Sequence, residues 1–185
     1  ADAGLDRRPF DREATAVVVA SSDTGGLLGN LLTARTVLPM VTGQADPAML
    51  ARIPKVNEET FTGTINNIVS GRVANRLDLG GPNYTVDAAC ASSLTALEAG
   101  VRELVNHRSN VALVGAVDIG MTPQAYQSFA KLTALSPTGR SRPFDAQADG
   151  IVLSEGAVFV VLKRREDAER DGDRIYALIQ SVGAS

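Results

Sequence analysis

The chain has 185 residues, 44% of them hydrophobic, and a formal net charge of −3. That length predicts one domain or a large part of one, with enough apolar residues for a core. The basic residues do not gather into one stripe and no apolar run reaches ~18 residues, so neither nucleic acid nor a membrane is expected as a partner. A single cysteine excludes an internal disulfide and favours a reducing compartment, so we expect a cytoplasmic protein without a signal peptide.

The first half of the chain begins with a strand pattern. Thr15–Ala20 is a continuous apolar, β-branched run, which predicts a strand covered on both faces. Residues 21–29 predict a small-residue loop, and phosphate binding there is the weaker interpretation because G-x-G-x-x-G and the P-loop lysine are absent. A short helix is predicted from Asn30 to Val41, ended by Pro39, and Glu58–Leu77 predicts a longer amphipathic helix.

The second half alternates strand and helix patterns. The predicted strands are Asn83–Ala89, Val111–Val117, Ala157–Lys163 and Ile175–Val182. The predicted helices run from Ala91 to about Asn106 and from Met121 to Lys131. This order predicts an α/β fold with a parallel or mixed sheet and helices on its faces.

Cys90 falls where the strand pattern gives way to a helix pattern. Apolar residues then recur at helical spacing: Leu94, Leu97, Val101, Leu104 and Val105. The sulfur is therefore expected at the amino end of a helix, where free N–H groups and the helix dipole favour a thiolate. The same N–H groups could hold the oxyanion of an attacked thioester, as in a nucleophile elbow. The alternative is an inert, buried cysteine that serves packing.

Four motifs lie around and beyond this cysteine. They are Asn75–Pro82, Asp87–Leu94, Val114–Val117, and Arg142–Gly150 followed by Ser154–Ala157. In order and spacing they resemble the motifs of β-ketoacyl synthases, the condensing enzymes of fatty acid and polyketide biosynthesis. The Ala-Cys-Ala-Ser-Ser form resembles ketosynthase domains of type I polyketide synthases and polyunsaturated fatty acid synthases.

The resemblance implies the thiolase-like fold, a layered α/β/α/β/α arrangement. Residues 1–185 would be the central part of one ketosynthase domain, mostly its N-terminal half plus the start of its C-terminal half. The start of the domain and the C-terminal half would be absent from this chain. The resemblance also implies a homodimer with the nucleophile strand at the interface.

The resemblance further assigns roles to residues and partners. Cys90 would be the catalytic nucleophile, and Phe129 and Phe144 would line the acyl pocket, although core packing explains the two phenylalanines equally well. No metal and no directly bound cofactor are expected. An acyl carrier protein would supply the phosphopantetheine arm, and other domains of a multifunctional synthase are expected partners.

The family also uses two histidines and a lysine from later motifs that this sequence lacks. His107 is no substitute, because the predicted helix separates it from Cys90 by ~25 Å. We therefore predict that the chain alone is inactive. Two alternatives stay open: a CoA-using acyltransferase of the same fold, and a non-catalytic dimerisation or scaffold segment.

Several carboxylates near the motifs have structural explanations. Asp87 precedes Cys90 by three residues on the predicted strand, so a regular strand would point it away from the sulfur. Asp145, Asp149 and Glu155 do not follow the spacing of a known calcium loop, so loop hydrogen bonds are the preferred interpretation.

Overall fold

The computed structural model describes residues 2–21, 26–44 and 46–183. They fall into two compact units: unit 1 comprises Ala1–Ser22, Asn66–Val117 and Ala157–Ser185, and unit 2 comprises Asp23–Ile65 and Asp118–Gly156. The strands are β1 (Thr15–Ala20), β2 (Asn83–Val86), β3 (Val111–Asp118) and β4 (Gly156–Lys163). The helices are α1 (Gly26–Thr42), α2 (Pro47–Arg52), α3 (Glu58–Gly63), α4 (Ile68–Leu77), α5 (Ser92–Val105), α6 (Pro123–Lys131) and α7 (Arg165–Arg170).

The four strands form one sheet in the order β2-β1-β3-β4. Strand β1 is central and runs parallel to both neighbours, with Val17 opposite Asn83 of β2 and Thr15 opposite Val111 of β3. The predicted strand at Thr15–Ala20 is therefore confirmed. The predicted α/β class is also confirmed for the part of the chain that is described.

Strand β1 is buried on both faces because a helix covers each one. On one face, Ala16 and Val18 join a core cluster with Ala96 of α5, while on the other face Val17 and Val19 pack with α4. All of these side chains are fully enclosed or nearly so. The continuous apolar run in the sequence follows directly from this position, because no face of the strand meets water.

Unit 2 is mainly helical. The guanidinium group of Arg35 on α1 donates to the carbonyl oxygens of Leu50 and Ile53, at 2.9 and 3.0 Å, and so ties α1 to the carboxyl end of α2. Helix α6 begins at Pro123, where the Thr122 hydroxyl accepts from a backbone N–H. No helix among the described residues is both long and apolar enough to cross a membrane.

The prediction for the first helix was wrong at its start and in its stop signal, although the observed end at Thr42 is one residue from the predicted Val41. Helix α1 starts at Gly26 rather than Asn30 and continues through Pro39 to Thr42. Its stop signal is Gly43, which adopts a left-handed backbone (φ 68°) and donates its N–H to the Pro39 carbonyl. The predicted loop at residues 21–29 is thus shorter, and residues 22–25 of it lie outside the described part.

The predicted single helix over Glu58–Leu77 was also wrong, because it is interrupted. Helix α3 ends at Gly63 and helix α4 begins at Ile68. The Thr64 hydroxyl donates to the Phe61 carbonyl at 2.8 Å, so its side chain competes for the backbone group that a continuing helix would use. The two helices belong to different units.

The predicted strand over Ile175–Val182 is not formed. No ladder hydrogen bonds join this segment to a neighbour among the described residues, and Ile175, Leu178 and Ile179 are exposed. Apolar alternation identifies a chain that can pair, but a strand also needs a partner edge. The strand predicted over Asn83–Ala89 is real but ends at Val86.

Candidate functional site

Cys90 lies on a short turn between a strand and a helix. Strand β2 ends at Val86, a 3-10 turn covers Ala89–Ala91, and α5 begins at Ser92. The cysteine side chain is exposed, so it is not a packing residue. The predicted strand-to-helix junction is present, with three residues between Val86, the last residue of the strand, and Cys90.

The residue before the cysteine has an unusual backbone. Ala89 adopts a left-handed conformation with φ 49°. The Asp87 carboxylate oxygen Oδ1 accepts the Ala89 N–H at 2.9 Å and so supports this conformation. The regular strand on which the predicted direction of Asp87 depended is absent, because β2 ends at Val86. The Asp87 carboxylate binds the turn instead, which is a structural role.

Ser92 supports the same turn from the helix side. Its hydroxyl Oγ accepts the Ala88 N–H at 2.8 Å and donates to the Ala89 carbonyl at 2.6 Å. The serine is buried, whereas the next residue, Ser93, is exposed. Ser92 therefore links the start of α5 to the two residues that precede Cys90.

These bonds leave one backbone donor free. The N–H groups of Ala88, Ala89 and Ala91 are bonded to Ser92, Asp87 and the Ala88 carbonyl, respectively. Within the described part of the chain, the N–H of Cys90 has no acceptor. A free N–H on Cys90 itself, next to the amino end of α5, can stabilise negative charge on the oxygen of a carbonyl group beside the sulfur.

A buried polar pair joins the two elements that flank the turn. The Tyr84 hydroxyl on β2 donates to Glu103 of α5 at 3.1 Å, and Glu103 is almost fully buried. Arg108 lies 3.5 Å from the second carboxylate oxygen of Glu103. Burial, reinforced by the hydrogen bond and charge of Glu103, raises the pKa of Tyr84 to about 12. The phenol thus stays protonated and keeps β2 attached to α5.

The two phenylalanines predicted for the acyl pocket lie in unit 2, whereas Cys90 lies in unit 1. Phe129 is half-buried on α6. Phe144 is fully exposed and has a left-handed backbone with φ 61°. The structure describes each residue within its own unit, and their role in an acyl pocket stays a prediction.

The loop that includes Phe144 is held by local hydrogen bonds. The Asp145 carboxylate accepts the Gln147 N–H at 2.8 Å, and Arg142 donates to the Gln147 carbonyl at 3.1 Å. Asp149 accepts the hydroxyls of Ser136 and Thr138, which lowers the pKa of its carboxyl below the usual value.

These contacts give the acidic residues of the loop a structural role. Across residues 2–21, 26–44 and 46–183, no three His, Cys, Asp or Glu side chains are grouped closely enough to bind a metal ion.

Ser92 is the site residue whose role sequence analysis missed. Its two hydrogen bonds reach backward to Ala88 and to the left-handed residue Ala89. The signal in the sequence was Asp87, an Asx-turn residue three positions before Cys90.

Comparisons with known proteins agree with this geometry. The sequence pattern of the family described as "Beta-ketoacyl synthase, N-terminal domain" matches residues 1–168. Phthioceranic/hydroxyphthioceranic acid synthase of Mycobacterium tuberculosis is 43% identical over 162 residues, which cover 83% of this chain and 8% of that protein. Probable polyketide synthase 28 of Dictyostelium discoideum is 38% identical over 140 residues, which cover 76% of this chain and 5% of that protein.

Solved structures give the same result. The ketosynthase from module 6 of the bacillaene synthase of Bacillus subtilis has a TM-score of 0.70 and 30% identity, over 95% of this chain and 26% of that one. An oxazolomycin ketosynthase domain from Streptomyces albus has a TM-score of 0.63 and 32% identity, over 86% of this chain and 24% of that one.

The chain thus spans about a quarter of the solved ketosynthases and under a tenth of the curated relatives. The predicted fold class, an incomplete thiolase-like α/β fold, is confirmed by these neighbours. With an exposed cysteine at a supported strand-to-helix turn and a family match over most of its length, the chain belongs to the β-ketoacyl synthase family and forms part of a ketosynthase domain.

Proposed function

We propose that Cys90 accepts an acyl group from a carrier-protein thioester and that the complete domain performs a decarboxylative Claisen condensation with malonyl-carrier protein. The observation that supports this proposal is the exposed cysteine whose own N–H is free beside the helix terminus. The names of the relatives, which are polyketide synthases, support polyketide or fatty acid biosynthesis as the setting.

In the first half-reaction, the Cys90 thiolate attacks the thioester carbonyl carbon and forms a new carbon–sulfur bond. The carbonyl oxygen becomes an oxyanion, to which the Cys90 N–H donates. The bond to the carrier sulfur then breaks, and the carrier leaves as a thiol after taking up the proton that Cys90 lost. The phosphopantetheine arm is thus substrate, and this step requires no metal.

In the second half-reaction, malonyl-carrier protein loses carbon dioxide and its bonding electron pair becomes an enolate. The enolate carbon attacks the Cys90 thioester, which releases the β-ketoacyl-carrier protein and restores the Cys90 thiolate. Decarboxylation requires hydrogen-bond donors at the enolate. The sole histidine of the chain, His107, follows the 14-residue helix α5, which is about 21 Å long, so other parts of the domain must supply them.

The chain alone is therefore proposed to be inactive, and an uncovered surface of unit 1 supports this. Val158, Phe159 and Val160 of β4 are exposed although the strand is apolar. A cavity of about 760 Å³ beside them is lined mainly by apolar side chains of α5, β4 and residues 173–179. Apolar surface of this kind is normally covered by further protein, here the rest of the ketosynthase domain.

The homodimer is a further part of the proposal. Strand β2, which leads to Cys90, is an outer strand of the sheet. An unpaired strand edge is a ready site for pairing with a second copy about a two-fold axis. We also propose that the protein is cytoplasmic, since its one cysteine must stay reduced to act. An acyl carrier protein and neighbouring synthase domains are the proposed partners.

Intact mass spectrometry of the complete ketosynthase domain, incubated with an acyl thioester, tests the assignment. We expect one acyl adduct per chain, lost in Cys90→Ala, with Cys90→Ser as the control that preserves the side-chain size. An adduct that persists in Cys90→Ala would contradict the role of this residue. An unlabelled wild-type domain would favour the scaffold alternative.

The 185-residue chain, assayed with an acyl thioester and malonyl-carrier protein, tests the need for the rest of the domain. No β-ketoacyl product is expected. Turnover by this chain alone would refute the proposal that further residues supply the donors for decarboxylation.

A further inference from the structure

The hydroxyl of Ser92 spans the turn that includes the nucleophile. It accepts the Ala88 N–H at 2.8 Å and donates to the Ala89 carbonyl at 2.6 Å. A serine hydroxyl has one proton to donate, so the bond to Ala89 uses its whole donor capacity. The side chain is buried, and the bond to Ala89 is therefore sheltered from competition by water.

Two bonds from Ser92 to the Ala89 carbonyl set the direction of the Cys90 N–H: one from the hydroxyl at 2.6 Å and one from the Ser92 backbone N–H. The Ala89 carbonyl and the Cys90 N–H belong to one planar peptide unit, and in a trans peptide the two groups point in opposite directions. When Ser92 holds the carbonyl oxygen on the α5 side, the Cys90 N–H must face away from Ser92. The Ser92 hydroxyl, two residues from Cys90, thus acts with the Ser92 backbone N–H to orient the one amide of the turn that has no acceptor.

The backbone of Ala89 explains why such support is needed. A left-handed conformation costs a non-glycine residue about 1–2 kcal/mol, and Ala89 has φ 49°. Asp87 holds the N–H side of this residue at 2.9 Å, while Ser92 holds its carbonyl side. The Asp87 Oδ1 and the Ser92 Oγ lie 3.5 Å apart, so the two groups hold the same residue from neighbouring positions.

We propose that Ser92, assisted by Asp87, is a positioning residue that aims the Cys90 N–H at the oxyanion of the acylation step. It contacts neither substrate nor sulfur, and acts through the peptide between Ala89 and Cys90. This inference rests on the proposed function of Cys90. It predicts that loss of the Ser92 hydroxyl lowers the rate of a reaction that forms an oxyanion more than the rate of a reaction that needs only an accessible thiol.

Two reactions of the same sulfur separate these effects. Acylation by an acyl thioester passes through an oxyanion, whereas alkylation by iodoacetamide displaces iodide without one. In the complete domain, Ser92→Ala is expected to slow acylation about tenfold or more. Removal of an oxyanion donor lowers the rate about 100-fold to 1,000-fold, and a misaligned Cys90 N–H should cause part of that loss. Alkylation is expected to change less than about twofold.

Ser93→Ala is the matched control, because Ser93 is the adjacent exposed serine. It should leave both rates unchanged. Asp87→Ala should reproduce the selective loss, while Asp87→Asn, which retains Oδ1 as an acceptor, should keep most of the acylation rate. Acylation by Ser92→Ala within about twofold of wild type would overturn the inference, as would an equal fall in both rates.

Hydrogen exchange of the peptide that spans residues 84–91 provides a measurement that does not require activity. Ser92→Ala should speed exchange there by freeing the Ala88 N–H, and Ser93→Ala should not. If wild-type Cys90 reacts with iodoacetamide but not with acyl thioesters, the proposed function is contradicted. Hydrogen exchange still tests the hydrogen bonds of Ser92 in that case. Unchanged exchange in Ser92→Ala would overturn those hydrogen bonds themselves.

Discussion

The turn at Cys90 and the loop at Phe144 share two backbone features. Each contains a non-glycine residue in the left-handed region, Ala89 at φ 49° and Phe144 at φ 61°. In each, an aspartate accepts a backbone N–H two residues ahead: Asp87 from Ala89 at 2.9 Å, and Asp145 from Gln147 at 2.8 Å. At the Cys90 turn the carboxylate binds the left-handed residue itself, whereas at the Phe144 loop it binds a residue that follows Phe144.

The support behind the two turns differs. The Cys90 turn connects β2 to α5, and α5 packs Ala96 against the fully buried strand β1. The Phe144 loop is almost entirely exposed, and its bonds to Asp149 and Gln147 are local. Packing of α5 against β1 stabilises the Cys90 turn in addition to its own hydrogen bonds. The Phe144 loop is stabilised by hydrogen bonds within the loop. The two should therefore respond differently to substitution and to pH.

The largest effect is expected where the Cys90 strand meets the core. Gly81 precedes β2, and a Cβ there would clash with the backbone of Thr15 in β1. Gly81→Ala should lower the free energy of unfolding by about 2–3 kcal/mol, since overpacking typically costs about 1–3 kcal/mol. Denaturant titration of the complete domain measures this.

Gly156→Ala is the matched control for this prediction, because a Cβ at Gly156 meets no described atom within 4 Å. It should have little effect on the free energy of unfolding. Equal destabilisation by Gly81→Ala and Gly156→Ala would contradict the close packing inferred between the β2 turn and β1.

An intermediate effect is expected when each strained residue is replaced by glycine. Ala89→Gly and Phe144→Gly should each change the free energy of unfolding by under about 1 kcal/mol, because relief of left-handed strain is offset by greater freedom of the unfolded chain. Their effects on acylation should differ. The proposed role of Cys90 predicts that Ala89→Gly lowers kcat by loosening the turn. The acyl-pocket role predicted for Phe144 implies that Phe144→Gly raises KM by removing apolar surface.

Saturation kinetics of Cys90 acylation measures that difference, since loss of transition-state contacts and loss of ground-state binding separate in kcat and KM. A fall in kcat with Phe144→Gly and none with Ala89→Gly would reverse the roles assigned to the two turns.

The smallest effect is expected from pH at the Phe144 loop. Hydrogen bonds from Ser136 and Thr138 lower the pKa of the Asp149 carboxyl below its usual 3.8. The folded-state pKa is thus below the unfolded one, so the stabilisation is present above pH 3.8 and is lost as the pH falls through the folded-state pKa.

Asp149→Asn mimics the protonated acid and provides the comparison for the pH prediction. Its Tm should lie slightly below that of wild type at pH 6, and the difference should shrink as the pH falls below 3.8. A difference that is the same at pH 6 and at pH 3 would show that the charge of Asp149 does not stabilise the loop.

Much of unit 1 could be predicted from the sequence. Strand β1 is a run of apolar, β-branched residues, and the change to helical spacing after Cys90 predicted α5 to within a residue or so at each end. The motifs around Cys90 identified the family before any geometry was known. These features are local, because the side-chain period of a segment reports which of its faces meet the core.

Other features depended on contacts that a sequence pattern does not contain. Pro39 did not end α1, because Gly43 supplied the left-handed stop, and the apolar run at Ile175–Val182 found no strand to pair with. The free Cys90 N–H could likewise not be predicted from the sequence, because it depends on which backbone N–H groups donate to Asp87 and Ser92.

The sequence by itself determined the sheet core, the nucleophile candidate and the family, because periodicity and motifs lie within short segments. Only the tertiary structure decided which amide at the Cys90 turn is left free and which apolar segments stay uncovered. Hydrogen bonds and strand pairing join particular atoms in three dimensions, and a linear pattern leaves their partners open.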